Sequence, residues 1–440
     1  MSPLSRIRSS LDASFWFVPA LIVMGSAIAA VALVEVESLL GWDPALWSPR
    51  LFGAGADGSR AMLSAIGTSM ITVAGVVFSI TIVALSLTST QYSPRVLRNF
   101  MRDRPTQVVL GAFVGIFAYC LVVLRTIRGG DEGAFIPSFA VLGGMVYALA
   151  GISLLIYFIH HVALAIQASS ILTRIADDTE SAIDRMFPEG LGTAAAADEQ
   201  APELPASWTM VAARRNGYVV AVDGEALLSL ACELGKVVRL EARVGHFVAE
   251  GTAVAAASGT SPLAGDEEAR LLDCIQFGRQ RTVHQDIAFG LQQLVDVALR
   301  ALSPGINDPT TACMCIDQLS ALLCRLGRRN FPGPYRMKDG QLRLVVPVPD
   351  FSQWLARGLL PIVLHARGDL TVLEHLVAAV ELLASRLQQC PARCQELRPL
   401  VGHLRSALNE PARPRIARPL HRRLRQVERL LATPGNFGHH

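Results

Sequence analysis

With 51% apolar and only 18% charged residues among 440, the chain is too poor in charge for a wholly soluble protein, where about a quarter of residues are charged. A net charge of +3 is too small to imply a nucleic-acid partner, so the position of each basic residue matters more than their sum. Eight cysteines form close pairs only at Cys313/Cys315 and Cys390/Cys394, and no histidine–cysteine set at zinc spacing completes either. Neither metal nor cofactor is therefore expected.

Arg6 and Arg8 precede an uncharged run from Ala13 to Val34. That run is longer than the apolar core of a signal peptide, and Trp16 at its edge suits an interface, so it predicts a retained span over about 14–35 with its amino end inside. The loop beyond it holds Glu35, Glu37, Asp43 and Asp57 against Arg50 and Arg60, with Trp42 and Trp47 at the outer interface.

The second run is uncharged from Ala61 to Pro94, then Arg95, Arg98, Arg102 and Arg104 follow. Its length suffices to cross a hydrocarbon core of about 30 Å, over 62–90, and the arginines anchor its end on the cytoplasmic side. Thr68, Thr72, Gly75, Ser79 and Ser86 share one helical stripe. Two readings stay open: small and hydroxylated residues let helices approach closely, and they also line wet paths.

A third uncharged run, Pro105 to Leu124, predicts a span over 106–125, with Gly111 and Gly115 as a small-xxx-small pair. Arg125 and Arg128 follow it, offset by Asp131 and Glu132, and fit the positive-inside rule poorly. The fourth run, Gly133 to Leu172, predicts a span over 135–165 that carries His160 and His161 near the inner interface. These are either interfacial histidines bonded to head groups and backbone or a titrating pair with a proton or ion role. Ile171, Ile175, Ile183 and Phe187 keep helical spacing beyond it, which predicts a helix running on as a cytoplasmic stalk until Pro188.

The fold expected is a mainly α membrane protein with four transmembrane helices and a cytoplasmic α+β carboxy-terminal region. Its parts are a transmembrane domain with stalk over 1–187, a flexible linker over 188–207, a small β-rich module over 208–260 and a mainly helical domain over 261–440. Within the β-rich stretch, VVRLEARVGHFVAEGTAVAAAS resembles half of a biotinyl/lipoyl-type barrel-sandwich hairpin. The modification lysine of such domains is absent, which argues against a swinging-arm cofactor and for a packing or binding module.

In the helical region Ile287, Leu291, Leu294, Val295, Ala298 and Leu302 form one apolar face, ended by Ser303-Pro304-Gly305. Asn307 or Asp308 caps the next helix, with Pro309 in its first turn. Capping alone accounts for this turn. A fresh helix amino end also attracts anions, which makes Arg279, Arg281, His284, Asp286, Arg300, Asn307 and Asp308 candidate ligand-binding residues.

SAIGTSMITVAGVVFSITIVALSL, QYSPRVLRNFMRDRPTQVVLG, IYFIHHVALAIQAS and QDIAFGLQQLVDVALRALSPGINDPTTA together resemble the bacterial predicted-membrane-protein family called domain of unknown function 2254, from about Leu11 to Leu387. The resemblance implies a multi-pass inner-membrane protein with a cytoplasmic carboxyl region and carries over no catalytic residues. The tail PARPRIARPLHRRLRQVERLL is arginine-rich. It is either a solvated or oligomer-facing helix or a contact with anionic lipid.

No P-loop, GxSxG, HExxH or paired-cysteine metal site occurs, and His284 and Asp286, two apart on a helix, do not face each other, so an enzyme is the weakest reading. The leading expectation is an oligomeric passive channel, or channel-like transporter, for an ion or small solute, with a cytoplasmic regulatory domain. The alternative is a membrane-anchored sensor or scaffold whose cytoplasmic domain binds a ligand or protein.

Overall fold

Apolar composition and length dictate the first half of the molecule. Among the described residues there, four helices are long and apolar enough to cross a bilayer: α1 (Phe17–Leu40), α2 (Gly55–Gln91), α3 (Arg104–Thr126) and α4 (Ser138–Ala165). The computed structural model describes residues 16–40, 55–91, 103–129, 135–187, 202–366, 368–409 and 414–432. They divide between two compact units, Met1–Ser170 and Ile171–His440.

In the first unit α3 is the hub, touching α1, α2 and α4. Its start is set by Asp103, whose carboxylate accepts the Thr106 amide at 3.2 Å and the Thr106 hydroxyl at 2.6 Å. Val109, Phe113, Ile116, Cys120 and Val123 are its buried face. Gly111 and Gly115 lie against α1, where a Cβ on Gly111 would come within 2.8 Å of the Pro19 Cα and one on Gly115 within 2.6 Å of the Ser26 Oγ. Small residues thus let these two backbones approach, as such pairs do in membranes.

Polar side chains fasten the remaining helix pairs. The Ser26 and Tyr147 hydroxyls meet at 2.7 Å, linking α1 to α4. Glu37, read from the sequence as a loop residue, lies inside α1 and is buried. Its carboxylate accepts the Phe139 amide at 3.0 and 3.2 Å, at the start of α4 where Pro137 offers no side-chain cap. The outer surface is aliphatic, with Ile28, Val76, Ile82, Leu149 and Ile156 exposed.

The expected continuous stalk is interrupted. α4 ends at Ala165, the chain turns at Ile166–Gln167, and a separate helix α5 (Ala168–Met186) follows. The reason lies in the two helices' surroundings. α4 is apolar all round, whereas α5 is amphipathic and buries Ile171, Ile175, Ala182 and Ile183.

The described residues of the second unit form two sheets. One has the strand order β1 (Trp208–Ala212), β5 (Ala253–Ser258), β3 (Val238–Leu240), β8 (Gln341–Val345), β7 (Tyr335–Lys338). The other has the order β4 (Phe247–Val248), β2 (Gly217–Val222), β6 (Ile275–Gly278). Pairing is antiparallel except between β3 and β8, where Val238 lies opposite Leu344. Asp339 and Gly340, both at positive φ, turn the β7–β8 hairpin. The β-rich stretch therefore completes its sheets only with strands from beyond residue 260. The segment likened to a barrel-sandwich hairpin divides, since β3 and β5 pair with each other while β4 crosses to the second sheet.

The helices of this unit are α6 (Gly224–Glu233), α7 (Gly265–Asp273), α8 (Ile287–Ala301), α9 (Pro309–Gly327), α10 (Phe351–Gly358), α11 (Leu360–His365), α12 (Leu370–Arg386), α13 (Pro391–Gln395), α14 (Arg398–Leu408) and α15 (Pro414–Ala432); α6 packs on β3 and β8 and α7 on β6, while α8 and the helices after it pack on one another. α5 joins this core: a Cβ on Gly290 of α8 would collide with Thr179 of α5, and Asp184 of α5 pairs with Arg325 at 2.7 Å and with Arg329 at 2.5 Å. The tail helix α15 buries Leu420, Leu424, Val427 and Leu431 against α12 and α14.

Candidate functional site

The residues singled out in the sequence that fall among the described ones have definite places. In α2 the buried face is Leu63, Gly67, Met70, Ala74, Val77, Thr81 and Ala84, spaced by three and four. Thr68, Thr72, Gly75, Ser79 and Ser86 lie on the opposite side at 3.6 residues per turn and are exposed on the first unit. The hydroxyl stripe is thus outside this four-helix packing. Thr72 donates back to the Thr68 carbonyl at 2.8 Å, so its hydroxyl is satisfied within the helix.

Arg95, Arg98 and Arg102 lie outside the described residues, while Arg104 opens α3 and is exposed. His160 and His161 part company. His160 is exposed, whereas His161 places Nε2 2.8 Å from the buried Asp103 carboxylate and stacks on Tyr157. His161 therefore ties the end of α4 to the start of α3.

The residues proposed as one ligand site fall at two ends of α8, separated by its 15 residues, or about 22 Å. At the carboxyl end, Asp308 caps α9, accepting the Thr311 amide at 3.1 Å and its hydroxyl at 2.5 Å. The Thr311 hydroxyl bond holds the Asp308 carboxyl below its ordinary range. Asn307 takes a positive φ in the turn before it, and Arg300 sits in the last turn of α8. Capping accounts for the Asp308 end.

At the amino end, Asp286 caps α8 by accepting the Phe289 amide at 3.0 Å. Arg281 clasps the same carboxylate at 2.7 and 2.9 Å and lies over the Phe289 ring. His284 is pushed below its usual pKa by burial and then by Arg185, which donates to its carbonyl. Arg279 is exposed nearby in sequence.

Asp286 also opens onto a cavity of about 450 Å³ within the second unit. Its wall is aliphatic and aromatic, from Phe187, Val222, Leu228, Leu240, Leu344 and Val346, and it carries Arg243, His246, Arg336, Trp354 and Arg357. That volume falls in the range of small-molecule sites, about 300–1,000 Å³. Gly245, at positive φ, brings the Arg243–His246 loop against Asp286, since a Cβ there would collide with that carboxylate. His246 is held below its usual pKa by desolvation, then by the charges of Arg243, Arg357 and Arg281.

Sequence reading missed Arg243, Arg336, Trp354 and Arg357. Their one signal was Val244-Gly245-His246, noticed as a hairpin motif rather than as a cavity rim. Among the described residues no group of three or more His, Cys, Asp or Glu stands ready to hold a metal ion.

Comparison with known proteins adds a family and relatives. A family model described as "Predicted membrane protein (DUF2254)" matches residues 12–381. Uncharacterized proteins of Mycobacterium bovis and Mycobacterium tuberculosis are 35% identical to this chain over 401 residues, covering 88% of it and 75% of each of them. No solved structure matches.

Proposed function

The chain belongs to the predicted membrane protein family DUF2254, and we propose that its four spans anchor, at the inner membrane of a bacterium, a second unit that binds a small molecule. Both termini and that unit lie on the cytoplasmic side in this reading, supported by the arginines that follow the second apolar run. The observation that carries it is the cavity: an apolar pocket of ligand size with a few convergent polar groups is the usual form of a binding site.

The test uses the full chain in phosphatidylcholine nanodiscs with Trp354 as its only tryptophan, the other four replaced by phenylalanine. ω-Bromoundecanol quenches an indole on contact. Saturable quenching is expected, and Ala242→Phe, which fills the cavity, should abolish it while leaving the melting temperature in place. Quenching that only rises linearly, as lipid partition gives, would remove the binding reading.

A second reading is an oligomeric passive channel, favoured by the outward stripe of α2. Facing away from its own bundle, the stripe would line a path only between copies of the chain, and the spans lack the dense intramembrane charge of pumps. Liposome flux should then fall with Thr72→Leu and Ser79→Leu. α15 fits either reading as a contact with anionic lipid, for Arg418, Arg422, Arg425 and Arg429 form one exposed row opposite its buried leucines.

A further inference from the structure

The cavity in the second unit is unbalanced in charge. Arg243, Arg336 and Arg357 line it against two carboxylates, Glu225 and Asp286. Asp286 is already committed, with Arg281 on both oxygens and the Phe289 amide on one of them. The Arg336 guanidinium donates to the Gly333 and Tyr335 carbonyls, which satisfies donors without cancelling charge. Arg243 and Arg357 make no side-chain hydrogen bond or ion pair among the described residues. Both stand close enough to His246 to disfavour its protonation.

A further group on the wall lacks a partner. Trp354 is 6% exposed, and its indole N–H has no hydrogen-bond acceptor. A buried donor left unmade costs about 1–3 kcal/mol, so such groups are rare without a reason. Charged rims on apolar cavities are often merely solvated, and rim arginines alone would signify little. Here two unpaired cations meet an apolar volume in one enclosure, and what the enclosure lacks is an anion attached to an apolar body.

We infer that the cavity takes an amphiphilic acid, with its apolar body against Phe187, Leu228, Leu240 and Val346 and its anionic head meeting Arg243 and Arg357. This rests on the small-molecule-binding reading above and adds the chemical class. An arginine fork matches a carboxylate with two parallel bonds, while a neutral or cationic head leaves both guanidinium groups unpaired. Body and head act on different quantities: burial of the chain sets whether anything binds, and the arginines set which head is preferred.

The experiment compares ω-bromoundecanoate with ω-bromoundecanol on the same Trp354-only protein in phosphatidylcholine nanodiscs, at about pH 8, where the acid is ionised. The acid should saturate the quenching at a concentration lower by about tenfold, the size of one charge-assisted hydrogen bond. The pair Arg243→Gln and Arg357→Gln should erase that gap and leave the alcohol's midpoint unchanged; Arg243→Lys with Arg357→Lys should keep most of it. Raising salt should narrow the gap, since the rim is exposed. Equal midpoints for acid and alcohol in the unmodified rim, or a gap that survives both glutamines, would overturn the acid inference while sparing the cavity's role. Failure of both probes to saturate would overturn the binding reading beneath it.

Discussion

The lipid-facing surface of the first unit and the core of the second are made of the same aliphatic residues. Ile28, Val76, Ile82 and Ile156 point outward in the first, whereas Leu291, Leu323, Leu376 and Leu424 point inward in the second. Both cores are largely apolar, with Leu63, Phe113 and Ile116 buried in the first, so what differs is the outer face. The first unit also buries Ser26, Glu37, Gly111, Gly115 and Thr81 between helices, where small and polar residues make close contacts.

The sharpest way to break that contrast is a matched pair of truncations. Leu424→Ala, at 1% exposure on α15, should cost about 2–5 kcal/mol in chemical unfolding of the second unit. Ile152→Ala, at 50% exposure on α4, should stay within about 0.5 kcal/mol in nanodiscs. Equal costs would mean that the outward face of α4 is covered by protein.

A second pair probes close approach. Gly290→Ala should destabilise the second unit by about 1–3 kcal/mol through Thr179, and Thr179→Ala should restore part of the loss because a side chain is the obstacle. Gly111→Ala should cost a similar amount with no such rescue, since its obstacle is the Pro19 backbone. Full rescue by truncating Ile22, whose side chain the new Cβ also meets at 3.0 Å, would show that the Pro19 backbone is not the main obstacle.

The smallest effect is an acid one, and it belongs to the second unit alone. The Arg325 hydrogen bond, aided by the charges of Arg325 and Arg329, holds the Asp184 carboxyl below its usual pKa. A depressed folded pKa adds stability above the unfolded value of about 3.9, and that stability is lost as pH falls through the folded value. Asp184→Asn should lower the neutral-pH stability slightly and flatten the acid limb of a melting-temperature profile. An unchanged limb would mean that the pair is fully screened.

The spans were legible because a bilayer demands a fixed apolar length, and the Asp308 cap because helix starts carry a local signature. The α2 stripe was legible as a stripe, but which way it faces depends on partners chosen by the other three helices. In α15 the sequence reading took only the arginines, and the structure adds that Leu420, Leu424, Val427 and Leu431 form the buried face opposite them. The cavity was hidden for another reason. Arg243 comes from a loop before β4 and Arg357 from α10, and only the folded sheets bring both to one enclosure. Likewise β8 reaches β3 in parallel after a long crossover, a pairing that no local pattern announces. Glu37 was misplaced because acidic residues at the end of an apolar run read as loop, while its donor, the Phe139 amide, lies on α4.

That Glu37 bond bears on how the protein is made. Ribosomal synthesis delivers α1 into the membrane long before the Phe139 amide exists, so this bond between the first and last membrane helices can form only late in synthesis. A nascent chain stalled after Thr126 already has α3, against which α1 packs, but lacks the Phe139 amide, so its Glu37 should react faster with water-borne carboxyl reagents than in the completed protein.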